Sequence, residues 1–113
     1  MKRVRAKRYN KLVRDNIPAL LARKGLVVVA SRLSGGKLRR ALREKLIEEA
    51  GELSKARGKK EVLNELADCS EVLRAVAKAE KVTMAAVERV RSAKHKKRGG
   101  FQGAFFLKKV QKL

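Results

Sequence analysis

The chain has 113 residues, 44% of them apolar, and carries 31 Lys and Arg against 11 Asp and Glu, a formal net charge of +20. This length suits one domain spanning 1–113, and the apolar share excludes a disordered chain despite the charge. No apolar run approaches the roughly 20 residues that cross a bilayer, and the basic N-terminus MKRVRAKRYNK lacks the apolar stretch of a signal peptide, so the expectation is a cytoplasmic protein with no membrane partner.

In chain order the pattern is mostly helical. IPALLARKG, residues 17–25, predicts a short helix with Pro18 in its first turn, Asp15 or Asn16 near its cap and Gly25 at its end. LVVVASRL, 26–33, is short and β-branched, which predicts a strand-like or extended connector, turned by SGG into the next element. Over 37–57, Leu38, Leu42, Leu46, Ile47, Ala50 and Leu53 recur at helical spacing, with Gly58 as the stop. A second long helix fits 60–78 through Val62, Leu63, Leu66, Leu73, Val76 and Ala77. Thr83 then caps a third, with Met84, Val87 and Val90 on one face, running to Gly99 and Gly100. The segment GGFQGAFFL is short and Gly-rich, so it is read as a loop with a possible strand. No internal repeat or low-complexity segment is present.

Charge is unevenly divided. Residues 1–43 hold 14 basic and 1 acidic side chain, 44–71 hold 5 and 8, and 72–113 hold 12 and 2. An acidic centre thus lies between basic flanks. The flanks suit a polyanion, either nucleic acid or a small phosphorylated molecule, or serve as plain solubilising surface. A single Cys69 excludes an intrachain disulfide, and with one His95 it cannot assemble a typical zinc site. Any metal would need oxygen ligands.

The acids of the centre sit at particular places on the long helices. Glu49 lies three residues after Leu46 and four before Leu53, and Glu52 follows at i+3. Glu65 lies three after Val62 and four before Cys69, and Asp68 follows at i+3. Each helix thereby offers two carboxylates at the border of its apolar stripe. Antiparallel pairing of the helices across the RGKK turn would gather all four. Clustered carboxylates in a partly dry site either take up protons or bind a cation. Oxygen-only ligands select Mg²⁺ or Mn²⁺, and Mg²⁺ bridges to substrate phosphates. The plain alternative is a solvated acidic face, the ordinary use of a Glu-x-x-Glu pair.

At these residues the chain resembles a known family. EEAGE (48–52), twelve residues, then ELAD (65–68) looks like the signature of the MazG-like all-α nucleoside triphosphate pyrophosphohydrolases. YNKLVRDNIP (9–18) and KHKKRGGF (94–101) look like the N- and C-terminal motifs of small members labelled phosphoribosyl-ATP pyrophosphohydrolase-like. The extreme positive charge and the LVVVASRLSGG segment depart from that pattern. The resemblance implies an enzyme that cleaves nucleoside triphosphates between the α- and β-phosphates, with Glu49, Glu52, Glu65 and Asp68 as Mg²⁺ ligands. Glu48 would orient or deprotonate the attacking water. Lys11, Arg14, Lys94, Lys97 and Arg98 would grip the triphosphate, the two arginines best because a guanidinium forms a bidentate fork on phosphate oxygens.

The remaining residues carry structural expectations. Asp15 serves as a helix cap, His95 lies at the surface, and Cys69 lies in the core. Gly99 and Gly100 end a helix, and Phe101, Phe105 and Phe106 pack the C-terminal segment onto the body. The fold expectation is all-α: an antiparallel helical hairpin with a further helix beside it, its four-helix-type core completed in a homodimer. The functional expectations are a house-cleaning nucleotide pyrophosphohydrolase, phosphoribosyl-ATP hydrolysis in histidine synthesis, or a basic helical module making non-specific nucleic-acid contacts. The last is weakened by acids placed beside the apolar stripe.

Overall fold

The structure is a computed structural model and describes residues 6–113; the first five residues of the basic N-terminal run lie outside the described residues. The chain divides into two compact units, one reaching to Lys81 and the other Val82–Leu113. Every regular element among the described residues is a helix: α1 (Ile17–Arg23), α2 (Gly35–Lys55), α3 (Gly58–Ala79) and α4 (Met84–Arg98). The all-α expectation therefore holds. Residues 26–34 form a connector without a strand, and the segment after Gly100 makes one turn and no strand.

The first unit is built on α2 and α3. Only Ala56 and Arg57 separate the two helices, both in extended conformation, so the chain reverses at once and the helices pack antiparallel. Gly58 is the first residue of α3 rather than the stop of α2, and its φ of +76° explains why glycine stands at this corner. The Arg57 backbone N–H donates to Glu61 Oε2 at 2.7 Å, placing a carboxylate at the positive end of α3. At the far end of the hairpin, Arg43 donates to Glu80 at 2.9 Å, with Arg39 at 3.9 Å, tying α2 to the C-cap of α3.

Apolar spacing decides which sides are buried. Leu42 of α2 and Val72 and Ala77 of α3 are the buried apolar residues, with Leu38, Leu46, Leu53, Val62 and Val76 half-buried around them. Among the described residues these three buried side chains make a thin core. A second apolar line on α3, through Leu63, Leu66 and Leu73, is open, and Leu63 is 70% exposed.

Helix α1 has Asn16 at its N-cap position and Pro18 in its first turn, but neither expected cap forms: Asn16 is itself in the helical region and makes no side-chain cap bond. Its start is instead closed by the Ile17 N–H donating to the Arg14 carbonyl at 3.0 Å.

In the second unit, the Thr83 hydroxyl accepts the Ala86 N–H at 3.1 Å and starts α4 as the sequence predicts. Gly99, with φ of +81°, ends it. Phe101 and Phe105 are each 98% exposed.

Candidate functional site

Two turns of α2 and two of α3 carry the acidic centre. Glu49 comes from α2, and Glu65 and Asp68 come from α3 one helical step apart. One ligand atom from each of these three half-buried residues lies within 4.8 Å of the others. Their convergence follows from the two-residue link, which sets the acidic stretches of the two helices side by side.

Glu52 stands apart from the three. It is exposed and borders an open hollow with Lys55, Lys60, Leu63 and Glu65. Three residues turn about 300°, so Glu52 sits some 60° round α2 from Glu49; the same step parts Glu65 from Asp68, and the difference is that on α2 it carries the second carboxylate to the exposed side. The sequence expectation of four gathered carboxylates thus becomes three together and one at the rim.

Bases fill the space around the acids. Arg14 Nη2 donates to Asp68 Oδ1 at 2.7 Å, reaching across from the segment before α1. Lys11 Nζ lies 3.1 Å from Glu48 Oε1. Lys45 lies 3.1 Å from Glu48 Oε2 and 3.6 Å from Glu49 Oε1. Asn10, with φ of +46°, turns the chain just before Lys11, a conformation asparagine tolerates better than most residues. Both N-terminal candidates for phosphate binding, Lys11 and Arg14, are therefore at the acidic centre, held there by carboxylates.

Lys45 was missed by the reading of the sequence. Its signal was present: a lysine three residues before Glu48 and four before Glu49 meets both on one helix side.

No family model, curated protein or solved structure matches this chain. The chemistry of the site rests on its own geometry. Hydrogen bonds from Lys11 and then Lys45 hold the Glu48 carboxyl below the ordinary glutamate range. A carboxylate so stabilised is a weaker base than a free one, and it stays ionised to accept hydrogen bonds. Burial first, then the negative charges of Glu49, Glu65 and Asp68, pushes the Cys69 thiol up, which keeps it neutral and unreactive. Cys69 is half-buried beside the acids rather than in the core.

Lys94, Lys97 and Arg98 lie in the second unit, in the last turns of α4 with His95 and Lys96, all of them exposed. Cations there complement the negative end of the helix dipole.

The donor set fits a hard cation. Its three members are carboxylates, and two oxygens bound to Mg²⁺ at about 2.0–2.1 Å stand no more than about 4.2 Å apart. Side-chain adjustments of about an ångström would bring these oxygens into that range.

Proposed function

We propose that this chain is a Mg²⁺-dependent nucleotide pyrophosphohydrolase, with Mn²⁺ as an alternative ion, of the MazG-like kind that its EEAGE and ELAD segments resemble. The observation that carries the reading is the approach of Glu49, Glu65 and Asp68 to within 4.8 Å across the α2–α3 hairpin, with the Lys11 and Arg14 side chains beside this acidic centre. When bound, the cation offsets phosphate charge and polarises the group under attack.

The protein's own groups do the rest. Glu49, Glu65 and Asp68 hold the ion, and Glu52 at the rim is available from the water side. Glu48, kept ionised by Lys11 and Lys45, accepts a hydrogen bond from a water and orients it toward the α-phosphate. Arg14 and Lys11 bind the phosphates, the guanidinium by its two-pronged fork. The resemblance also implies Lys94, Lys97 and Arg98 of α4 as phosphate-binding side chains; they belong to the second unit. The products are a nucleoside monophosphate and pyrophosphate. Release of pyrophosphate from a panel of nucleoside triphosphates and phosphoribosyl-ATP with Mg²⁺ tests the proposal, and orthophosphate as the primary product would overturn the cleavage site. Preference for phosphoribosyl-ATP would assign the chain to histidine synthesis.

A second reading is favoured by the same ion pairs. With Arg14 on Asp68 and Lys11 and Lys45 on Glu48, the acids neutralise bases, and the +20 charge serves nucleic-acid binding. It requires affinity for DNA or RNA that persists at moderate salt and survives Glu65→Gln. On the enzymatic reading, binding is weak, sequence-blind and steeply lost with salt. No helix among the described residues is long and apolar enough to cross a membrane.

A further inference from the structure

We infer that Arg14 is an internal stand-in for the cation: it occupies Asp68 until a divalent ion displaces it, and the displaced guanidinium then meets the phosphates of the ligand. The inference rests on the metal reading above and names how ion and anion binding are linked at that site.

Two cations pair with two of the three carboxylates, Lys45 with Glu49 and Arg14 with Asp68, and they differ in kind. Lys45 belongs to α2 itself, four residues before Glu49, and its side chain is only 16% exposed, so it is a fixed part of the hairpin. Arg14 arrives from outside any helix, 54 residues from Asp68 in sequence, and its side chain is 57% exposed. An exposed ion pair contributes at most about 1 kcal/mol, which a divalent ion readily outcompetes. Asp68 Oδ1, the atom Arg14 touches at 2.7 Å, belongs to one of the three residues whose ligand atoms converge, so a bound cation and the guanidinium draw on the charge of the same carboxylate and repel one another. Release costs the guanidinium its anion, and a phosphate replaces it. Ion and phosphate therefore each promote the binding of the other.

Lys11, on the same segment, stays on Glu48 through this exchange, because Glu48 is outside the converging three. The segment is thus pinned at one base and free at the other. Arg14 moves without carrying the chain away.

The test measures Mn²⁺ binding by calorimetry to the full chain, without nucleotide. Arg14→Gln removes the competitor and tightens Mn²⁺ about two- to five-fold, the range that an exposed ion pair allows. Arg14→Lys keeps the charge and stays near the parent. Arg43→Gln, which removes an equal charge from the Glu80 pair, leaves Mn²⁺ affinity unchanged. Inorganic phosphate binds the Mn²⁺-loaded parent more tightly than the metal-free parent, and the gain shrinks in Arg14→Gln. Equal Mn²⁺ affinity in the parent and Arg14→Gln, or an equal rise in Arg43→Gln, would overturn the exchange while leaving the metal site standing. A parent that takes up no Mn²⁺ at millimolar concentration would remove the metal reading itself, and the exchange with it.

Discussion

Glu65 is the carboxylate of the converging three with no cation at ion-pair distance among the described residues; its polar neighbour is the Asn64 amide at 3.4 Å. On the proposed reading, Glu65→Gln keeps the side chain's size and lowers activity about a hundredfold or more, since the ion supplies several kcal/mol of transition-state stabilisation. Its stability without metal is unharmed or raised, because one of three repelling charges is gone. Mg²⁺ raises the melting temperature of the parent and much less that of Glu65→Gln. Glu71→Gln, on the exposed side of α3, changes neither property.

Glu48 gives a prediction in pH. Its folded pKa lies below its unfolded value, so between the two the unfolded chain holds more protons and stability rises with pH. The contribution is fully present above the ordinary value of about 4.3 and is lost as pH falls through the folded one. Melting curves of the parent and Glu48→Gln should differ modestly at neutral pH and merge in acid.

Among the elements, α4 has the best-defined start. Thr83→Ala removes the cap at Ala86 and should destabilise α4 by about 0.5–2 kcal/mol, seen as faster amide exchange in its first turn. This helix was also the most legible in the sequence, because Thr83 and Gly99 are local signals that need nothing from the rest of the fold. The hairpin was legible for a similar reason: apolar spacing fixes the buried side of each long helix whatever its partner. What was lost is what depends on register. Whether Glu52 joins Glu49 is decided by how far round α2 the packed side extends, and no local pattern states that. Gly58 reads as a stop and acts as a start, because a glycine at φ +76° serves either side of a tight corner. The pairing of Arg14 with Asp68 spans 54 positions and left no spacing to find.

At the scale of the molecule, the thin core and the open Leu63–Leu66–Leu73 line motivate the proposal that a second copy covers α3. Light scattering at micromolar concentration should then give twice the 12.6 kDa of one chain. Leu63→Asp should halve that mass with little effect on the helix content, since Leu63 is 70% exposed in its own chain. A parent that stays monomeric counts against the assembly.

The two-residue corner between α2 and α3 also sets a kinetic order. A hairpin closed over so short a loop forms from near neighbours in sequence, and local contacts form early in folding. Glu49, Glu65 and Asp68 are thus forced together while Arg14, far off along the chain, is still unplaced. Repulsion among them opposes the zippering of the hairpin, and dissolved ions screen it. Refolding followed in stopped flow should accelerate as salt is added, and Glu65→Gln should refold faster than the parent in low salt and lose that lead in high salt.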